Sequence, residues 1–94
     1  MVFIALLTLE IHIPHAQSLK DKRMIVRRIK DRLRSKFNVA VSETDHQELW
    51  QRATVSVATV GSDEEYARKT LQLSLEESER SVPECDIQGN IEIV

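Results

Sequence analysis

Residues 2–13 read VFIALLTLEIHI, and this stretch decides the fold. Its odd positions, Phe3, Ala5, Leu7, Leu9, Ile11 and Ile13, form an unbroken apolar row. Val2, Ile4, Leu6, Thr8, Glu10 and His12 form a second row that turns polar along its length. Side chains alternate between faces with a period of two in a strand, so this is a strand with the odd row toward the core. Pro14 ends it, because proline cannot donate to a ladder. The stretch has no basic lead and no small-residue cleavage pattern, so it reads as a strand and not a signal peptide.

Working outward, Ser18 and Asp21 have the spacing of a capping box, which starts a helix near Leu19. At ~100° per residue, Leu19, Ile25, Val26, Ile29 and Leu33 share one face. The stem of Lys22 is expected to lie along that face with its ammonium in water. Phe37, Val39 and Val41 alternate with Asn38, Ala40 and Ser42, which predicts a second strand. A polar loop from Thr44 to about Leu49 follows, then a third strand from Ala53 to Val60 that Gly61 stops. Ser62 with Glu65 reads as a second capping box, opening a helix whose inner positions are Ala67, Leu71 and Leu75 and whose end Pro83 marks. Cys85, Ile87, Ile91 and Ile93 predict a last strand, with a bulge or kink at Gly89-Asn90.

The order is β-α-β-β-α-β. Two amphipathic helices and one sheet bury their apolar sides best when both helices pack on one face of a four-stranded antiparallel sheet. The expectation is therefore an α+β, ferredoxin-like sandwich, a single domain over residues 1–94 with the first and third strands central. A chain of this length has one core and little room for an internal site. No apolar run reaches the ~18 residues of a membrane span. The lone Cys85 cannot form an internal disulfide, which fits a reducing, cytoplasmic compartment.

Net charge is −2, yet the charges are sorted. From Lys20 to Lys36 there are nine Lys or Arg against Asp21 and Asp31, a local +7; elsewhere four basic residues meet thirteen acids, a local −9. Lys20, Arg23, Arg27, Lys30 and Arg34 fall opposite Ile29 on the helix and form one outward stripe, with Arg28 and Arg32 on the other flank. Like charges at this spacing destabilise a helix by a few tenths of a kcal/mol each. A polyanion offsets that cost, because neutralised phosphates release counterions. The competing reading is a solvated face whose cations pair with acids of the second helix.

The sheet face away from the helices should expose Val2, Ile4 and Leu6 near Ala58 and Val60, a patch that suits homo-oligomerisation. It carries no aromatic residue, so base stacking on that face is not expected. The segment ETDHQELWQR, residues 43–52, concentrates chemistry in the hairpin between the second and third strands. One reading makes Asp45 and His46 an acid–base or metal pair, with His12 or Glu10 joining them. The other makes it a structural loop whose carboxylate caps backbone amides, with Trp50 packing the loop down and Arg52 beside it. No phosphate loop, nucleophile elbow, metal-ligand spacing or cofactor motif is visible, and no small-molecule substrate, enzymatic activity or cofactor is expected.

The segment SLKDKR at 18–23, the FNVAV strand at 37–41, and above all DHQELWQRA at 45–53 resemble the bacterial YlxP family. The resemblance spans essentially the whole chain and departs at Met24, where arginine is common. It implies a ferredoxin-like fold. It also implies a role near the ribosome or its RNA, since genes of that family often lie beside those for translation initiation and ribosome-binding factors. It brings no catalytic residue or ligand.

Overall fold

The computed structural model describes residues 1–94. The elements follow the expected order: β1 (Phe3–His12), α1 (Leu19–Lys36), β2 (Ala40–Asp45), β3 (Arg52–Gly61), α2 (Glu64–Ser81) and β4 (Asp86–Ile93). They form one antiparallel sheet in the order β2-β3-β1-β4, with both helices on one side. β1 is central, as its unbroken row requires. Ala5, Leu7, Leu9 and Ile11 are buried under the helices together with Val55 and Val57 of β3, Ile29 and Leu33 of α1, and Leu71 of α2. The other face is open. There Leu6 pairs with Ala58 and Ile4 with Val60, as the alternation predicts.

Several boundaries differ from the sequence reading. α1 runs on to Lys36, and Phe37 caps it by donating its N–H to the Leu33 carbonyl, so β2 starts at Ala40 and not at Phe37. Phe37 and Val39 still pack on the core, which is why their spacing imitated a strand. The residues expected to open the loop instead extend β2 to Asp45, with a register irregularity between Glu43 and Asp45. Asp63, not Ser62, is the N-cap of α2, accepting from the Glu65 N–H at 3.1 Å. No bulge occurs at Gly89-Asn90. The β1–β4 register passes evenly through both, and Gly89 is glycine because a Cβ there would lie 2.9 Å from both Leu75 methyl carbons.

Lys22 is the largest departure. Its side chain does not reach water; it is only 1% exposed. The α2 stripe is also more polar inside than a helical pattern implies. Ser74 and Ser78 are buried, each hydroxyl donating to the carbonyl four residues earlier.

Candidate functional site

Two features carry chemistry: the outer stripe of α1 and the loop between β2 and β3. α1 lies between α2 on one side and β2 on the other. This divides its cations into two sets. On the α2 side, Arg28 meets Glu84 at 3.1 Å, and Arg32 and Lys36 meet Glu77 at 3.6 and 2.9 Å. Glu77 is nearly buried and also receives Arg80 at 2.8 Å. Hydrogen bonds from Arg80 and then Lys36 hold its carboxyl down at about 2, against a smaller opposing effect of burial. The Glu84 carboxyl is lowered too, first by a backbone N–H and then by Arg28.

On the outward side, Lys20, Arg23, Arg27, Lys30 and Arg34 have no carboxylate within ion-pair distance. Arg34 is instead oriented by the Val41 carbonyl, to which its Nη2 donates at 2.9 Å. Arg23, Arg27, Lys30 and Arg34 line a shallow cleft of ≈ 290 Å³ against β2, together with Asp31 and Glu43, neither of which comes within ion-pair distance of them. Four of the five stripe residues expected from sequence thus line one cleft and Lys20 stands outside it, while the secondary pair Arg28 and Arg32 is already matched within the chain.

The loop is anchored by Lys22, which enters from beneath it. Its Nζ donates to the carbonyls of His46 (2.7 Å) and Gln47 (2.9 Å) and lies 2.9 Å from Glu43 Oε2. That last contact is an ion pair without hydrogen-bond geometry, since Glu43 Oε2 has no hydrogen-bond partner. His46 adopts a left-handed backbone (φ 61°), the one non-glycine residue of the chain to do so. This is the conformation in which its carbonyl reaches the ammonium. Asp45 accepts from the His46 N–H at 2.7 Å, so this carboxylate caps backbone and does not meet the imidazole. The imidazole bonds Thr54 Oγ1 at 2.9 Å, and Thr54 donates its single proton to Glu10 Oε1 at 2.6 Å. His46 Nδ1 therefore donates in this chain. No three His, Cys, Asp or Glu side chains converge as metal ligands.

The expected role of Trp50 does not hold. It is 52% exposed, and the loop is tied down by Lys22 and by Gln51, whose side-chain amide donates to the carbonyls of Pro14 and Ala16. Trp50, Leu49, Arg52 and His12 instead border an open cleft of ≈ 650 Å³ at the end of the sheet. On the open sheet face, Val2 (69%), Ile4 (44%) and Val60 (60%) are exposed together. Cys85 is half-buried and packs on the core, where burial pushes its thiol up to about 11. No helix is long and apolar enough to cross a membrane.

Comparisons with known proteins agree with this architecture. A family model described as "Protein of unknown function (DUF503)" matches residues 4–88. A curated relative, "Uncharacterized protein YlxP" of Bacillus subtilis (strain 168), is 44% identical over 57 residues, which is 61% of this chain and 62% of that protein. The match thus spans less than two thirds of that relative's length. A de novo designed protein with a ferredoxin fold superposes with a TM-score of 0.60 at 17% identity, covering 95% of this chain and 84% of that one. A C-terminal segment of the alpha subunit of aIF2 from Pyrococcus abyssi does so at 0.56 and 19% identity, covering 99% of this chain and 49% of that one. At such identities these two likenesses concern the fold alone.

Proposed function

We propose, from the premise that this chain belongs to the DUF503 family of small bacterial proteins, that it is a non-enzymatic accessory factor. It binds structured RNA, ribosomal RNA or a ribosomal particle, through phosphates gripped by Lys20, Arg23, Arg27, Lys30 and Arg34. One observation carries this reading. The fold supplies carboxylates to the cations on the α2 side of α1 and none to the outward five. From Lys20 to Arg34 the stripe rises about 21 Å along the helix. Its argininium forks suit phosphate oxygens, and contacts of this kind position a protein without reading sequence. The non-enzymatic part rests on the loop, where Asp45 and His46 are occupied with backbone and with Thr54.

The test is Arg23→Glu with Arg27→Glu. The parent should co-sediment with ribosomal particles or RNA at moderate salt, and the double variant should not. Five phosphate contacts predict that log K falls against log salt with a slope of about −3.5 to −4.5. Binding of the double variant equal to the parent's defeats the proposal.

A second reading has its own observation. The exposed corner of Val2, Ile4 and Val60, continued by Leu6 and Ala58, suits a second copy of the chain packed sheet to sheet. Analytical ultracentrifugation should then show a dimer that Ile4→Glu dissociates. A monomer at high concentration ends that reading.

A further inference from the structure

Trp50 stands where a folded chain gains least from it. Burial of its ring would contribute to the core, yet it lies half in water on a loop that does not move freely. Lys22 holds residues 46 and 47 from below. The Leu49 N–H donates to the His46 carbonyl, the Gln51 side chain ties to Pro14 and Ala16, and the Ile13 N–H donates to the Gln51 carbonyl. The backbone that carries the indole is therefore fixed, and only the side-chain torsions of Trp50 remain to be ordered on contact with a ligand. Its cleft, at ≈ 650 Å³, is open to solvent on a wide side, which suits a ring laid on the indole better than a ligand enclosed in a pocket. Arg52 borders the same cleft with no carboxylate in ion-pair distance, and His12 faces it across the β1–β3 register.

We infer that this cleft is a subsite for one unpaired nucleotide of a bound RNA, the base stacking on Trp50 and its phosphate on Arg52. The inference rests on the RNA-binding reading above and adds a second, chemically different contact to it. Two features favour a nucleotide over another occupant. Glu48 sits on the rim beside Arg52 and His12, so the cleft is not a run of cations. It suits one flat, uncharged ring with a single phosphate better than a stretch of backbone. The loop is also tied to the helix that carries the stripe, because Lys22, which clamps it, belongs to α1. Stacking of this kind is sequence-tolerant, because every base has a π-face.

Trp50 is the only tryptophan of the chain, so its emission reports the subsite directly. The probes are a single-stranded adenylate 12-mer and a 12-base-pair RNA duplex, with binding followed separately by anisotropy of labelled RNA. The single strand should quench Trp50 emission, and the duplex, whose bases are already stacked, should bind without quenching. Trp50→Ala should weaken the single strand roughly 5- to 150-fold and leave the duplex within about twofold, with Trp50→Phe recovering most of the loss. If the single strand binds without quenching and Trp50→Ala binds it as the parent does, the subsite is refuted while the α1 reading stands. If Arg23→Glu with Arg27→Glu leaves duplex binding intact but quenching persists in the parent, the stripe fails and the subsite survives. If neither RNA binds the parent, both fall. A blue shift that grows with protein concentration alone would assign the ring to a contact between copies and overturn the subsite.

Discussion

Replacing Lys22 with methionine removes the charge while keeping most of the side-chain volume. The ammonium is buried and meets three groups at once: the carbonyls of His46 and Gln47 and the carboxylate of Glu43. After substitution both carbonyls lose their donor, and Glu43, itself only 16% exposed, loses its counter-charge. Breaking one side of a buried pair costs about 3–5 kcal/mol. A domain of this size has a total of about 5–15 kcal/mol to lose, so the variant should be close to the limit of folding. In a thermal melt followed by circular dichroism this corresponds to a drop of about 12–40 °C. Hydrogen exchange separates the loop from the fold as a whole. At temperatures where the variant remains folded, the Leu49 amide, bonded to the His46 carbonyl, should exchange faster while the β1–β3 amides keep their protection. Adding Glu43→Leu should recover part of the stability, because the orphaned carboxylate is the largest single loss. A methionine variant melting within about 1 kcal/mol of the parent would falsify the claim that this contact anchors the loop.

Acid should weaken the contact between the helices in a defined window. The folded carboxyl of Glu77 is depressed to about 2 by Arg80 and Lys36. Its contribution is therefore complete above the unfolded value of about 4.3 and disappears as pH falls toward 2. Urea midpoints measured between pH 6 and 2.5 should fall with acid in the parent and fall less steeply in Glu77→Gln. Cys85 should resist alkylation at pH 8, since its thiol, pushed up to about 11 mainly by burial, supplies almost no thiolate. Iodoacetamide labelling read by mass spectrometry should be slow in the native protein and fast in urea, and rapid native labelling would contradict that placement.

The strongly periodic parts of the chain were legible because one physical rule dominates each. β1 had a whole apolar row, and a strand buried on that side has no competing solution. α1 had an apolar stripe and a capping serine, and the Asp21 N–H does bond Ser18 at 3.0 Å. The errors fall where two rules competed. Phe37 and Val39 satisfy a strand's alternation, yet Phe37 also closes the last turn of α1, and the helix prevailed. Gly89 reads as a break in a strand, although here it makes room for Leu75. Neither conflict is resolved by local pattern, because each depends on which element lies above the residue.

The candidate site divides along the same line. Exposure of the α1 stripe follows from helical angle alone, and Lys20, Arg23, Arg27, Lys30 and Arg34 stand where that angle puts them. The pairing of Arg28, Arg32 and Lys36 needed knowledge of α2 and the segment after it, which reach them through Glu77 and Glu84. Lys22 was misread for a related reason. A lysine at the margin of an apolar face normally extends its ammonium to solvent. Here that route is closed by a loop twenty-four residues further along the chain. One signal was present nonetheless. Glu43 precedes a loop with no glycine or proline, and such a loop must find partners for its inward carbonyls elsewhere. Once Lys22 supplies them, Trp50 is not needed as an anchor. The same burial that hides one cation of α1 thus leaves the only tryptophan outside, beside Arg52 and His12.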